Sequence, residues 1–371
     1  MRAPAGEHAS PRTNGGGHAA PSPVAAPSVR GGWAALRFPR AAAPWTSLTG
    51  LLALALIAAL FVSGAAMTFY YSPTPGVAYD SVDHAQFNMP FGDVVRGVHV
   101  YAWNLLLVVV VLHLLRAFVA GAYTAPWRGA WLSAVAAVLL VPVLIVTGDL
   151  LPWNQSGYWS TRVRLGIASS VPIAGDLVTG LLRGGNHLGI VSLTRFYVLH
   201  ILFLPCALLA LLAVHVVFVA RGLRSSAGSA GADAGRRLAL DLTARGLLVF
   251  LVVIVALGLA SSQFPAPLGD PADPTDTSYV PRPEWWALAL NQLVTICRGA
   301  LVVIPTVLLP GALLAFSVAL PFIDLSAERR KGRRRTVMLA TVALAAVLAG
   351  LAVMGYIEHY VDVKSPSSPG R

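Results

Sequence analysis

The sequence predicts an all-α polytopic membrane protein of about seven transmembrane helices, with an N-terminal four-helix bundle followed by three C-terminal helices. Three observations carry this. Apolar residues come in blocks of about 20, the length that spans a bilayer core. The 371 residues are 56% hydrophobic and only 12% charged, against about 25% charged in soluble domains. Bases and acids segregate into alternate connections. An open sheet is excluded, because lipid cannot satisfy its edges.

The spans read as 47–70, 94–119, 131–150, 197–221, 244–264, 287–321 and 336–357. The sixth is too long for one upright helix, and Pro305, Pro310 and Pro321 are placed to break or kink it. Arg30, Arg37 and Arg40 precede the first span, Arg116 and Arg128 follow the second, and Arg221, Arg224, Arg236, Arg237 and Arg245 follow the fourth. Arg329, Arg330, Lys331, Arg333, Arg334 and Arg335 follow the sixth. The other connections carry Asp80, Asp83, Asp270, Asp273, Asp276 and Glu284. This is the positive-inside pattern, which puts the N-terminus in the cytoplasm. The net charge of +11 is thereby a topology signal, and no nucleic-acid partner is expected beside the membrane lipids.

The expected division is a disordered cytoplasmic tail at 1–32 and a four-helix bundle at 33–222. A cytoplasmic linker at 223–243, a three-helix domain at 244–357 and a short tail at 358–371 follow. His8 and His18 in the first tail read as solvated. Cys206 and Cys297 lack any CxxC setting and read as small core residues.

Four histidines carry the chemistry. His99 and His113 lie on the second span, and His200 and His215 lie on the fourth. The second interval is one position longer than the first, and each amounts to about four helical turns. Each pair therefore shares a helix face, its members roughly 21 Å apart in depth. The second and fourth spans run in the same direction, so His99 matches His200 near the outer face and His113 matches His215 near the inner face. Two such helices can clamp two haems, iron held by neutral imidazoles, and pass electrons across the bilayer.

Arg96 and Arg116 lie one turn outside His99 and His113. They serve either as propionate partners or as snorkelling headgroup contacts. Gly50 and Gly64 repeat the interval between His99 and His113, and Ala134 precedes Gly148 by that same interval. Small residues there either admit a haem edge or serve ordinary helix packing. On the outer side, Gly148-Asp149-Leu150-Leu151-Pro152-Trp153 opens an aromatic stretch, and Pro283-Glu284-Trp285-Trp286 sets a carboxylate among prolines and tryptophans. A carboxylate so placed can accept a proton from a hydroquinone while the rings shape an apolar slot.

Arg96-Gly97-Val98-His99, Leu112-His113-Leu114-Leu115-Arg116, the Leu-Pro-Trp segment, Leu193-Thr194-Arg195-Phe196-Tyr197-Val198-Leu199-His200 and Pro283-Glu284-Trp285 together resemble cytochrome b of the quinol-oxidising cytochrome bc family. The likeness is strongest to the photosynthetic form, whose haem-binding half and "subunit IV" are separate chains. Leu320-Pro321-Phe322-Ile323-Asp324 resembles subunit IV, so the chain looks like a fusion of both halves, with three C-terminal spans rather than four.

The resemblance implies two non-covalent b-type haems on His99, His113, His200 and His215. It implies quinol oxidation at the outer face, with Glu284 as proton acceptor and the 148–160 stretch, Trp153 included, as a further wall beside Pro283 and Trp285. It implies quinone reduction inside, near His215 and Arg221. The partners it implies are a Rieske iron–sulfur protein, a c-type cytochrome or other acceptor, and a second copy of the complex, in a bacterial-type energy-transducing cell membrane. Trp286 replaces the family's tyrosine after Pro-Glu-Trp, and Asp149 replaces a tyrosine in the Gly-Tyr-x-Leu-Pro-Trp pattern. Asp149 reads either as a second acid supplementing Glu284 or as a helix-end residue in water, with Arg162 and Arg164 as candidate partners. No cysteine precedes Cys206 to hold the photosynthetic form's extra covalent haem. Competing readings are a di-haem membrane anchor of a dehydrogenase or hydrogenase, and a transporter or scaffold without haem.

Overall fold

A computed structural model of the chain describes residues 44–227, 232–323 and 331–361. Twelve α-helices run through them: α1 (Pro44–Thr68), α2 (Ala78–Phe87), α3 (Gly92–Val119), α4 (Arg128–Asp149), α5 (Gln155–Ser169), α6 (Gly175–Arg183), α7 (Ile190–Val198), α8 (Leu204–Ala227), α9 (Ala232–Gln263), α10 (Leu288–Ile296), α11 (Leu309–Ile323) and α12 (Lys331–Tyr356). A π-helical turn, Leu199–Phe203, joins α7 to α8 without a break. The described residues contain no strand, only an isolated bridge between Asn154 and Pro271.

Seven helical stretches among the described residues are long and apolar enough to cross a membrane: Leu48–Thr68, Gly92–Val119, Arg128–Asp149, Ile190–Ser225, Leu240–Gln263, Ile304–Ile323 and Thr341–Tyr360. The chain is an all-α polytopic membrane protein. Large apolar side chains such as Val62, Val111, Leu139, Val217 and Leu251 are exposed on the outside of the bundle. That is stable in lipid, where each helix satisfies its own backbone.

The bundle is built from two helix pairs. α1 packs on α3, and α4 packs on α8. Leu56, Ala59, Ala102, Leu106, Val141 and Leu208 belong to its core. On one end of the bundle α2, α5, α6 and the 264–287 connection form a cap whose own core holds Leu150, Trp153, Tyr158, Leu193 and Phe196. The α4–α8 pair closes at the opposite end by reciprocal notches: a Cβ at Gly129 would stand 2.3 Å from the Phe218 ring, and one at Gly222 would stand 2.7 Å from the Trp127 ring.

Several sequence expectations are revised. α9 packs against α1 and α3 of the N-terminal bundle. Helix occupies 223–227 and 232–243 of the expected cytoplasmic linker; Ala, Arg and Leu there are strong helix formers and outweigh the scattered Gly and Ser. The long sixth segment breaks ahead of its prolines. Cys297 is extended and Gly299 takes φ +62°, and α10 therefore ends at Ile296. Pro305 then opens a fresh helical turn, where its missing N–H is no loss. The C-terminal tail does not begin at 358, because Ile357–Val361 continues α12 as a π turn docked on other elements. Cys206 is exposed on α8, not a core residue. The 1–32 tail with His8 and His18, the bases Arg30, Arg37 and Arg40, and Asp324, Arg329 and Arg330 lie outside the described residues.

The notch at Gly129 gives a stability test. Gly129→Val should force Phe218 aside and cost about 1–3 kcal/mol of packing, read as a lower thermal midpoint of the purified protein in detergent. A midpoint equal to the parent's would mean that the ring yields without cost.

Candidate functional site

The α1–α3 pair faces the α4–α8 pair across a narrow interior, and the four histidines meet there. The His99 and His200 ring centroids lie 6.3 Å apart at an interplanar angle of 66°. Those of His113 and His215 also lie 6.3 Å apart, at 73°. A metal–imidazole nitrogen bond is about 2.0 Å and the ring centre lies about 1 Å beyond the nitrogen, so two imidazoles on opposite sides of one metal have centroids about 6 Å apart. Both pairs are thus spaced for one shared metal each.

The unequal sequence spacing is absorbed by the backbone. His200 sits in the π turn, which accommodates one more residue than an α turn. The step from His200 to His215, though longer in sequence, thereby covers the same rise as the step from His99 to His113.

Each ring is fixed through its Nδ1. His200 Nδ1 lies 3.0 Å from the Leu144 carbonyl and 3.3 Å from Thr147 Oγ1. His215 Nδ1 lies 3.0 Å from the Ala130 carbonyl and 3.1 Å from Ser133 Oγ. A carbonyl only accepts, so these Nδ1 atoms carry the proton and Nε2 keeps its lone pair. His99 Nδ1 lies 3.0 Å from Ser63 Oγ, whose own proton goes to the Ala59 carbonyl at 2.7 Å. His113 Nδ1 lies 3.0 Å from Thr49 Oγ1. Such outer hydrogen bonds orient a ligating imidazole and select its tautomer.

The hydroxyl residues were missed in the sequence, yet a signal was there. Thr49-Gly50 and Ser63-Gly64 on α1, and Ser133-Ala134 and Thr147-Gly148 on α4, are all hydroxyl-then-small dipeptides. Within each helix they are separated by the same interval as His99 and His113. The small residue makes room for the histidine ring itself. A Cβ at Gly148 would stand 2.6 Å from His200 Cε1, at Gly64 3.2 Å from His99 Cε1, and at Gly50 3.3 Å from His113 Cε1.

Between α1 and α8 an apolar groove of about 680 Å³, open to the outside of the bundle and lined by Leu54, Ile57, Phe61, Leu209 and Leu212 among others, runs beside the histidines without being lined by any of them. Arg116 Nε is buried with no hydrogen-bond partner among the described residues, which leaves a donor for a propionate. Arg96 differs. Its Nη1 donates to Gln86 Oε1 at 2.6 Å and the Ala266 carbonyl at 2.7 Å, and its Nη2 donates to the Pro267 carbonyl at 2.9 Å. Arg96 therefore ties α3 to the cap.

Beneath the cap, at the His99–His200 end, three charged groups converge. Asp149 at the end of α4 pairs with Arg164 of α5, Nη1 to Oδ2, at 2.6 Å. The other arm, Nη2, reaches Glu284 Oε1 at 3.4 Å. Trp286 Nε1 donates to Glu284 Oε2 at 2.6 Å. All three charged side chains are 22% exposed. Gly157 permits the close turn from α4 into α5, since a Cβ there would stand 2.1 Å from the Asp149 carbonyl. Burial, then the charge of Asp149, pushes the Glu284 carboxyl above the usual carboxylate range, against the pull of the Trp286 N–H and Arg164.

Of the other expected residues, Trp285 is half-exposed and donates to Asn104 Oδ1 of α3 at 2.6 Å. The Pro283 carbonyl accepts from the Tyr360 hydroxyl at 3.1 Å. Trp153 is buried in the cap, edge-on to Tyr158, and its carbonyl accepts from Ala272 N–H at 3.0 Å. Arg162, the other candidate partner for Asp149, lies over the Trp159 ring at 4.8 Å.

Known proteins resemble this chain in sequence and in fold. Residues 104–271 match the family model described as Cytochrome b(N-terminal)/b6/petB. Cytochrome b6 of Prochlorococcus marinus (strain MIT 9515) is 36% identical over 159 residues, which cover 43% of this chain and 73% of that protein. Cytochrome b6 of Synechococcus sp. (strain CC9605) is 35% identical with the same coverage. A chain of a hyperthermophilic respiratory Complex III has the same fold, with a TM-score of 0.68, 24% identity, and coverage of 85% of this chain and 84% of its own. With a cytochrome b6 matched over most of its length, and with two facing histidine pairs inside its bundle, this chain belongs to the cytochrome b/b6 family.

Proposed function

We propose that this chain is the cytochrome b subunit of a quinol-oxidising complex, working with a Rieske iron–sulfur protein and a c-type cytochrome or related acceptor. The observation that carries the reading is the pairing of His99 with His200 and of His113 with His215 at one common separation, at two depths of an apolar bundle. His99 and His200 would hold one b-type haem and His113 and His215 the second, without covalent attachment, and Arg116 would meet a propionate. Bound there, the two haems supply a one-electron path across the membrane.

The chain's own residues do the rest. Ser63, Thr147 and Ser133 hold the His99, His200 and His215 imidazoles in the tautomer that leaves Nε2 free, and Thr49 Oγ1 pairs with His113 Nδ1. Glu284, half-buried under the cap, takes the proton released when a quinol O–H bond breaks, and Pro283, Trp285 and Trp286 shape the space around it. Asp149, engaged by Arg164, is the second acid of this site. Quinone is reduced at the other end, near His215 and Arg221; the Arg221 guanidinium lies over the Phe218 ring at 5.8 Å. The acidic end then faces outward and the N-terminus lies in the cytoplasm of a bacterial-type cell, in keeping with the loop charges. Residues 244–357, from α9 onward, correspond to the subunit IV-like half, and the complex is a homodimer.

His113→Ala should remove one haem and largely spare the other, halving the b-type absorption of the reduced protein; loss of all haem or of none would break the assignment. Glu284→Gln should slow quinol oxidation by about 10²–10⁴-fold, the range typical of a positioned base, with both haem spectra intact. In the parent complex the acid limb of turnover should lie above the ordinary carboxylate value of about 4.3, because the raised proton affinity of Glu284 keeps it protonated, and unable to accept, to higher pH. Full turnover in Glu284→Gln would reject this role.

A further inference from the structure

Arg164 has no place in the reading above beyond its contact with Asp149, yet its guanidinium touches both acids beneath the cap. Its two arms are unequal. Nη1 makes a short, charge-assisted bond to Asp149 at 2.6 Å. Nη2 stands 3.4 Å from Glu284, at the outer limit of a hydrogen bond. Asp149 thus holds the guanidinium away from full engagement with Glu284. The remaining groups facing Glu284 are Trp286 from its own loop and Tyr360 from the turn after α12, with Arg282 over the Tyr360 ring at 5.2 Å.

We propose that Arg164 is a positioning residue, which divides its guanidinium between Asp149 and Glu284 and so sets the pH at which Glu284 accepts the quinol proton. The inference rests on the quinol-oxidation reading. In the step itself one quinol O–H bond breaks, its proton joins a Glu284 carboxylate oxygen, and one electron leaves to a one-electron acceptor of the complex; the second proton and second electron leave in a later step. Arg164 neither gives nor takes a proton, since a guanidinium stays charged. Its effect is electrostatic. Once Glu284 is neutral, its weak hold on Arg164 is gone while the short bond to Asp149 persists. The loaded acid can turn away without dragging the arginine with it.

The two neighbours therefore act on Glu284 with opposite sign. Removing Arg164 takes away an attracting cation and raises the proton affinity of Glu284. Removing the charge of Asp149 takes away a repelling anion, and it also frees Arg164 to turn fully onto Glu284. Both consequences of the Asp149 change lower that affinity. An opposite charge within about 4–6 Å typically moves a carboxyl by about one pH unit or more.

The test is the pH profile of quinol oxidation by the assembled complex, with haem content read spectroscopically for each variant. Arg164→Gln should move the acid limb to higher pH by about one unit. Asp149→Asn should move it to lower pH. Arg164→Lys, which keeps the charge, should lie nearer the parent than Arg164→Gln does. A purely structural role would lower turnover without moving the limb. Profiles that superimpose on the parent, or that shift the same way in Arg164→Gln and Asp149→Asn, would overturn the inference. Should Arg164→Gln not assemble, the direction of the Asp149→Asn shift decides alone. Glu284→Gln separates the two levels. If it keeps full turnover, the quinol reading fails; if it is slow while the Arg164 and Asp149 variants leave the limb in place, only the role of Arg164 fails.

Discussion

The fold depends on holding two helix pairs apart at one distance, twice. Imidazoles on opposite sides of one metal stand about 6 Å apart between centroids. The α1–α3 and α4–α8 pairs meet that condition at two levels in the bundle. The rest of the interior answers to it. Gly148, Gly64 and Gly50 lie where a ring must lean on a neighbouring backbone. A hydroxyl or carbonyl close by receives Nδ1 and stops the ring from turning. The π turn at Leu199–Phe203 absorbs one residue so that the second helix keeps pace with the first. An imidazole left unanchored in so apolar a space would be a costly buried polar group; anchored, it presents one lone pair in one direction.

The charged groups are placed at the ends of this apolar column, and the ends differ. At the His99 level, Arg96 is spent on Gln86 and the Ala266 and Pro267 carbonyls, which locks the cap to the bundle. The cap in turn brings α5 over the end of α4 and sets Arg164 between Asp149 and Glu284. At the His113 level, Arg116 keeps a buried Nε without a partner among the described residues. The paired acids thus belong to the capped end, and the other end keeps an open cationic donor.

Much of this was legible in the sequence. Length and hydropathy sufficed for seven spans, because lipid leaves a helix few alternatives. Paired spacing sufficed for the histidine levels, since rise per residue is nearly constant. Asp149 and Glu284 stood out as acids in aromatic surroundings, and the structure brings them to one arginine. Other features needed three dimensions. Nothing in residue type says that Arg164 rather than Arg162 turns toward Asp149; the helical phase of α5 decides it, and Arg162 goes to Trp159 instead. Arg96 and Arg116 look alike by spacing, yet only Arg96 has a cap to bind. The helix running into 223–227 and 232–243 was masked by Gly and Ser in a stretch otherwise rich in helix formers. The hydroxyl–small dipeptides were visible but went unread, because each is ordinary alone and only the interval they share with the histidines marks them.

Each facing histidine pair is proposed to hold one iron between two imidazoles. Low-temperature electron paramagnetic resonance of the oxidised, purified protein tests it most directly, combined with a haem count per polypeptide. The expected result is two non-covalent b-type haems per chain, both low-spin with two nitrogen ligands. One haem per chain, or a high-spin signal from a haem lacking its second histidine, would contradict it.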